Sequence, residues 1–262
     1  NWNQTYVVCL ISIWLIFIQL CFVFRLMLVK HMKPVYCLMV TGYNADRVQY
    51  AKKSIQNFKD QTYNSKFLII LNQSKERLIK NDASILEVVI DTKDKTLGEI
   101  RNMSLQFVPP NAIWTTWDDD DWRDPVYIDT MVSQMQTKKT EFLMYQHRIE
   151  YNINNDFSFK LSMKTGFMTF FSVHNPYLQY EHVATSEDVK VKEYAMKNMK
   201  VHIYDNDPKL YIRLIHSDNT SMYVKKNKNN LKNTKSNKVF FENELSEQEK
   251  EYVDNIISKY YK

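Results

Sequence analysis

The chain has 262 residues, 44% apolar and 25% charged, long enough for one sizeable α/β domain with appendages. Its three glycines, Gly42, Gly98 and Gly166, stand too far apart to form a dinucleotide-binding loop or a P-loop phosphate cradle. The formal charge of +5 lies outside the body of the chain: residues 34–224 hold 23 basic and 24 acidic residues, so no nucleic-acid partner is expected.

Basic charge collects at Arg25, Lys30 and Lys33, and in six lysines between Lys225 and Lys238. The cysteines, Cys9, Cys21 and Cys37, read as small hydrophobes, and no Cys/His zinc spacing occurs.

Tyr6 to Phe24 is an uncharged apolar run, interrupted only by Ser12 and Gln19. At about 1.5 Å per residue it is long enough to span a bilayer core of about 30 Å. No small-residue cleavage site follows it, so a retained single-pass anchor is expected over a cleaved signal peptide. Positive charge on its carboxyl side favours a cytosolic main domain, with an ER or Golgi lumenal orientation as the alternative. The expected organisation is an anchor and basic flank at 1–33, a main domain at 34–224, and a Lys/Asn-rich linker with a terminal helix at 225–262.

From Pro34 short apolar runs alternate with helical periods. Val35–Val40 reads as a buried strand, and Arg47–Phe58 as a helix with Val48, Ala51, Ile55 and Phe58 on one face. Lys66–Leu71 and Leu86–Ile90 read as strands, Thr96–Phe107 as a helix, Ile113–Trp117 as a strand, and Pro125–Met135 as a helix with Pro in its first turn. This alternation predicts an α/β fold, mostly a parallel sheet covered by helices on both faces. Strands are expected at Glu141–Tyr151, Phe157–Leu161, Phe167–Val173, Val201–Tyr204 and Leu210–Leu214, with a helix at Glu187–Met199. Ser246–Tyr261 reads as a terminal helix, with Ser246 as N-cap and Glu249 at the capping-box position.

The segment Trp117-Asp118-Asp119-Asp120-Asp121-Trp122 carries the densest chemistry. Four adjacent carboxylates are tolerable only when solvated or neutralised by a cation. An apolar strand precedes them and a Pro-initiated helix follows, so they sit at the carboxyl end of a strand, where open α/β sheets bind ligands. Carboxylates on a short turn suit a divalent cation bridging to phosphate oxygens, whereas an EF-hand fits badly: position 5 is Trp122 and position 6 is not Gly. The other strand ends, Thr41-Gly42-Tyr43-Asn44, Asn72-Gln73-Ser74 and Asp91 to Lys95, add hydroxyl, amide and cationic groups to the same edge.

Five segments in order resemble the family 2 glycosyltransferases of GT-A fold. They are VYCLMVTGYNADRVQYAKKSIQNFKDQTY, TLGEIRNMSLQF, IWTTWDDDDWRDP, SEDVKVKEYAMKN and LYIRLIHSDNTS, spanning Pro34 to Ser221. The resemblance implies a nucleotide-diphospho-sugar donor, a UDP-sugar favoured, and Mn2+ or Mg2+ as cofactor. It implies metal ligation by Asp120 and His216, and ribose or metal-water contacts from Asp118 and Asp119. Thr41, Tyr43 and Asn44 match the first-strand turn beside the nucleotide. Asn72 and Leu71 stand where the family has two acids, a departure that bears on the base. Lys95 is placed near the pyrophosphate, and Arg101 matches a donor-contacting position, with a rival role in holding its helix to the sheet. Asp188 matches the catalytic base; on its own, Glu187-Asp188 is also ordinary helix-start charge. Of Trp117 and Trp122, one is expected in the core and the other against a sugar or acceptor.

The expected activity is inverting transfer of a sugar to a hydroxyl of an unidentified glycan, lipid or protein acceptor. A metal-dependent phosphoryl-transfer enzyme and a degenerate GT-A binding module are the alternatives.

Overall fold

The computed structural model describes residues 33–154, 156–167, 169–216, 219 and 240–261. The chain divides into one unit at residues 1–34 and a second at 35–262. The expected anchor and the Lys/Asn-rich linker lie outside the described residues. Among those residues no helix is long and apolar enough to cross a membrane.

Strand β1 (Val35–Thr41) is buried along nearly its whole length, as a central parallel strand must be when helices cover both faces. Helix α1 (Ala45–Lys59) follows and buries Val48, Ala51, Ile55 and Phe58, the predicted stripe. Full burial of Phe58 alone is worth about 1.5–3 kcal/mol. Strands β2 (Lys66–Asn72) and β3 (Ile85–Val89) then extend the sheet. Helix α2 (Leu97–Leu105) begins at a capping box, Thr96 accepting from Glu99 N–H while the Glu99 carboxylate accepts from Thr96 N–H.

Strand β4 (Ile113–Thr116) runs directly into the acid turn, and the two-residue strand β5 (Trp122–Arg123) leaves it. Helix α3 (Tyr127–Lys138) follows, then β6 (Phe142–Tyr145), β7 (His147–Asn152), β8 (Phe157–Met163) and β9 (Phe170–Val173). Helix α4 (Val189–Asn198), β10 (Val201–Tyr204), a 3-10 turn at Pro208–Leu210, β11 (Tyr211–Ile215), β12 (Phe240–Asn243) and helix α5 (Glu247–Tyr260) complete the order.

The first sheet has the order β10-β6-β9-β4-β1-β2-β3, with β1 to β4 parallel and β9 antiparallel between β4 and β6. The fold is α/β as expected, but mixed rather than mostly parallel, because β9 runs antiparallel to β4 and β6. A second sheet, β12-β8-β7-β11-β5, was not anticipated. The single strand expected at Glu141–Tyr151 is two strands in two sheets, because the chain crosses between them at Gln146. That backbone N–H donates to Tyr204 O at 2.9 Å and the Asn206 side-chain oxygen at 3.0 Å, so no ladder is needed there. Pro125 precedes α3 rather than sitting in its first turn, with Val126 as the N-cap residue.

Helix α5 has the predicted capping box at Ser246 and Glu249. Its Val253 and Ile257 close a separate core with Trp122, Ile149, Tyr151, Ile212 and Leu214 of the second sheet. Beneath that sheet Arg148 and Arg213 both approach the buried Glu150 carboxylate, which they hold below its ordinary pKa against the opposing effect of burial.

Candidate functional site

Four parallel strands end at one edge of the first sheet, at Thr41, Asn72, Val89 and Thr116. The acid turn follows β4 and is stitched to α1. Ser54 Oγ donates to Asp118 O at 3.1 Å, and the Trp117 indole donates to Ser54 O at 3.3 Å. Asn57 clamps Arg123, accepting from its N–H at 2.9 Å and donating to its carbonyl at 2.7 Å.

The carboxylates of the tetrad face different sets of partners, with Arg47 shared by Asp119 and Asp120. Asp118 accepts from Arg101 at 2.9 Å, with Arg123 at 4.0 Å. Asp119 meets Arg47 Nη1 at 2.9 Å. Asp120 Oδ2 accepts from the same Arg47 nitrogen, and lies 3.1 Å from His216 Nε2 and 3.2 Å from Asn219 Nδ2. Asp121 accepts from the Tyr211 hydroxyl and from Leu214 N–H at 3.1 Å, which ties the turn to the second sheet.

These environments split the tetrad electrostatically. Burial and the neighbouring Asp120 charge push Asp119 and Asp121 up. Burial works on Asp120 in the same direction, but the His216 hydrogen bond and the Arg47 charge hold it well below the usual carboxylate range. Asp120 is the fixed anion of the group. The Thr41 hydroxyl lies close enough to Asp119 to lower its pKa without closing a hydrogen bond.

Arg101 is the hub between the acid turn and the head of α4. Its Nη2 donates to Asp118, its Nη1 meets Glu187 at 2.6 Å, and its guanidinium lies over the Tyr180 ring at 5.4 Å. Asn102 donates to Tyr180 O at 2.9 Å and accepts from Tyr180 N–H at 2.8 Å, holding the same loop. Gly98 makes this approach possible: a Cβ there would stand 1.7 Å from the Glu181 carbonyl oxygen.

Asp188 precedes α4 in a helical backbone conformation and makes no side-chain cap bond. Burial first, then the Glu187 charge, raise its pKa to about 6, against the opposing pull of Arg101. A carboxylate that only compensated the helix dipole would have its pKa lowered, not raised. A groove of about 650 Å³ runs along α4, lined by Met163, Val189, Lys192, Met196 and Lys197, with Asp188 outside its lining.

The remaining expected residues divide. Thr41 is buried at the strand end, and Tyr43 is exposed with its hydroxyl accepting from Gln73. Asn44 caps α1, accepting from Arg47 N–H at 2.8 Å. The Asn72 amide is spent internally, donating to Glu76 O and the Glu87 carboxylate while accepting from Ser74 N–H. Lys95 is half exposed and 4.0 Å from Glu99. Trp117 and Trp122 are both fully buried, so neither faces a sugar or acceptor. Trp117 packs edge-on against Phe58, and Trp122 edge-on against Tyr252.

The expected metal ligands Asp120 and His216 do meet, 3.1 Å apart, and the Arg47 cation stands on the same Asp120 oxygen. Arg47, His216 and Asn219 all converge on Asp120 Oδ2, while Asp119 Oδ2 is buried without a hydrogen-bond partner. Among the described residues no three His, Cys, Asp or Glu side chains gather to hold a metal ion.

Arg47 and Arg123 were the residues not foreseen. Arg123 is fully buried beneath the turn, its guanidinium 4.2 Å from the Trp117 ring and 4.8 Å from the Tyr211 ring. A signal for Arg47 existed: a cation in a helix's first turn opposes the dipole and needs an outside anion.

No protein-family model matches the sequence, and no curated protein matches it. The fold is similar to that of S. aureus TarS, a family 2 glycosyltransferase of GT-A fold. The crystal structure of TarS residues 1–349 in complex with UDP-GlcNAc gives a TM-score of 0.57 at 10% identity, covering 71% of this chain and 60% of that one. The crystal structure of S. aureus TarS 1–349 gives 0.55 at 12% identity, covering 70% of this chain and 60% of that one. This chain thus matches about three-fifths of the length of the TarS 1–349 chain. At such identities the likeness shows the fold, which is GT-A.

Proposed function

We propose that this GT-A chain is a nucleotide-sugar-dependent glycosyltransferase, with Asp188 as its general base. The observation that carries the reading is the Arg101 bridge, which joins Asp118 of the acid turn to Glu187 beside a carboxylate of raised pKa. Nucleotide-side and acceptor-side groups are thereby held in one crevice at the edge where α/β sheets bind ligands. The neighbouring TarS structures in complex with UDP and with UDP-GlcNAc support a UDP-sugar as the donor class.

In this reading the diphosphate lies at the carboxyl edge of β1 and β4, against Thr41, Tyr43 and the acid turn. The acceptor approaches along the groove beside α4. Its hydroxyl oxygen attacks the anomeric carbon from the face opposite the diphosphate, and the proton passes to Asp188. The carbon–oxygen bond to the diphosphate breaks, its electron pair leaves with the nucleoside diphosphate, and configuration inverts.

Release of UDP from a panel of UDP-sugars tests the reading. UDP appearing with one or more sugars, and lost in Asp188→Asn, supports it. Binding of UDP without turnover of any sugar turns it into a degenerate binding module, and release of inorganic phosphate instead points to phosphoryl transfer.

The tether at residues 6–24 and a cytosolic domain belong to the same proposal. Asn72, Asn102 and Asn219 each begin an N-x-[ST] sequon, and each uses its amide nitrogen as a donor within the fold. Glycans there would break those bonds, which supports a compartment without N-glycosylation. Protease protection in sealed vesicles tests it, a protected main domain being the contrary result.

A further inference from the structure

The position at the acid turn where the family resemblance expects a metal ion already holds a cation that belongs to the chain. Arg47 Nη1 contacts Asp119 at 2.9 Å and also donates to Asp120. The guanidinium is prepared for this place. Asn44 caps the helix at Arg47 itself, accepting from its N–H. The Arg47 side chain keeps 16% of its surface exposed, so the guanidinium is not sealed in the core.

Arg47 also stands where its own helix disfavours it, in the first turn against the positive end of the dipole. The Asp119 and Asp120 carboxylates offset that cost. Both contacts run through Nη1, and among the described residues Nε and Nη2 meet no partner. A planar guanidinium has two usable edges, and the edge left over matches two phosphate oxygens.

We propose that Arg47 is the resident cation of the donor site. Its Nη1 stays anchored on Asp119 and Asp120 while its Nε/Nη2 edge receives the diphosphate of a nucleoside diphosphate. Donor recognition then needs no divalent ion. The inference rests on the donor-binding reading above, and goes beyond it by replacing the metal that the family resemblance implies.

UDP is the probe, titrated calorimetrically into the full chain in excess EDTA and again in Mn2+. The wild-type dissociation constant is expected to differ by less than about threefold between the two conditions. Arg47→Ala is expected to weaken UDP binding in EDTA by more than about tenfold, the scale of one charge-assisted bond. Binding by Arg47→Ala should recover in Mn2+, because the vacated carboxylates then accept the ion. Arg47→Lys keeps the charge without the fork and should fall between the two.

Wild-type binding more than tenfold tighter in Mn2+ than in EDTA overturns the proposal, as does unchanged UDP affinity of Arg47→Ala in EDTA. Failure of the wild type to bind UDP under both conditions overturns the donor reading itself, and the inference with it. Melting curves accompany each variant. If Arg47→Ala does not fold, the wild-type comparison and Arg47→Lys decide between the same outcomes.

Discussion

Two carboxylates of the candidate site, Asp120 buried and Asp188 partly buried, are held in opposite conditions. Asp120, in the acid turn, receives Arg47, His216 and Asn219 on a single oxygen, and its pKa is held down despite burial. Asp188, before α4, has no cap bond, and burial with the adjacent Glu187 raises its pKa to about 6. Both belong to acidic clusters, yet donors saturate one and leave the other wanting a proton. A saturated carboxylate positions cations and ligands; an unsaturated one accepts protons. Sequence alone gives the two the same letter.

The difference predicts its largest effect at Asp188. Asp188→Asn should lower kcat by about 10²–10⁴-fold, the usual range for a general base. UDP affinity should move by less than about threefold, since the change lies on the acceptor side. Wild-type kcat/KM should fall as pH drops through about 6, where Asp188 becomes protonated, and the variant should lack that limb. An unchanged kcat would erase the contrast with Asp120.

The linkage to stability carries its own sign. The folded pKa of Asp188 lies above its ordinary value of 3.8, so its favourable contribution is present below about 4 and lost as pH rises through about 6. Asp188→Asn should therefore raise the melting temperature at pH 8 and give no gain at pH 4. A lowered melting temperature at pH 8 would restore the simple helix-start role.

The two regions share Arg101, whose removal should break both. Arg101→Met leaves Asp118 and the buried Glu187 without their common partner. A loss of about 3–5 kcal/mol in urea unfolding is expected, the cost of breaking a buried pair from one side. Gly98→Ala should act on the same joint by a steric route. Its Cβ would require the Glu181 carbonyl to retreat from 1.7 Å, pulling the Glu187 loop off Arg101. A cost of about 1–3 kcal/mol follows from overpacking. A variant as stable as the wild type would show that the loop is not held there.

The parts of this site that were legible in the sequence lie at strand ends. Continuous apolar runs such as Val35–Val40 and Lys66–Leu71 identify parallel strands, and their order places the acid turn and the Thr41–Asn44 turn on one edge. What was not legible depended on partners far along the chain. Strand β5 has two residues, too few for any periodicity, and exists because Arg123 and Trp122 pair with Tyr211 and Ile212. The switch between sheets at Gln146 has no Gly or Pro to mark it. Arg47 reads as one more charge on a helix until Asp119 and Asp120 are brought to it. The departure at Asn72 has a tertiary answer too: Glu87 of the neighbouring strand supplies an acid, and Asn72 donates to it at 2.7 Å.

Asn44 carries the smallest of the expected effects and sharpens the comparison at its weakest point. The family resemblance makes it a donor contact, whereas the structure spends its side chain on the first turn of α1. These roles separate by substitution. An N-cap can be Asp as well as Asn, so Asn44→Asp should keep both the melting temperature and the position of Arg47. Asn44→Ala should lose about 1 kcal/mol, and Asn44→Gly only a few tenths, because glycine is the better cap of the two. UDP affinity in EDTA should track the same order, falling by only a few-fold in Asn44→Ala as the Arg47 guanidinium loosens. A direct donor contact predicts another order: Ala, Gly and Asp would weaken UDP binding alike, with Asp worst because it adds a charge near the diphosphate. Measuring melting temperature and UDP affinity on the three variants distinguishes the orders. Tight UDP binding by Asn44→Asp assigns the residue to the helix, and through the helix to Arg47.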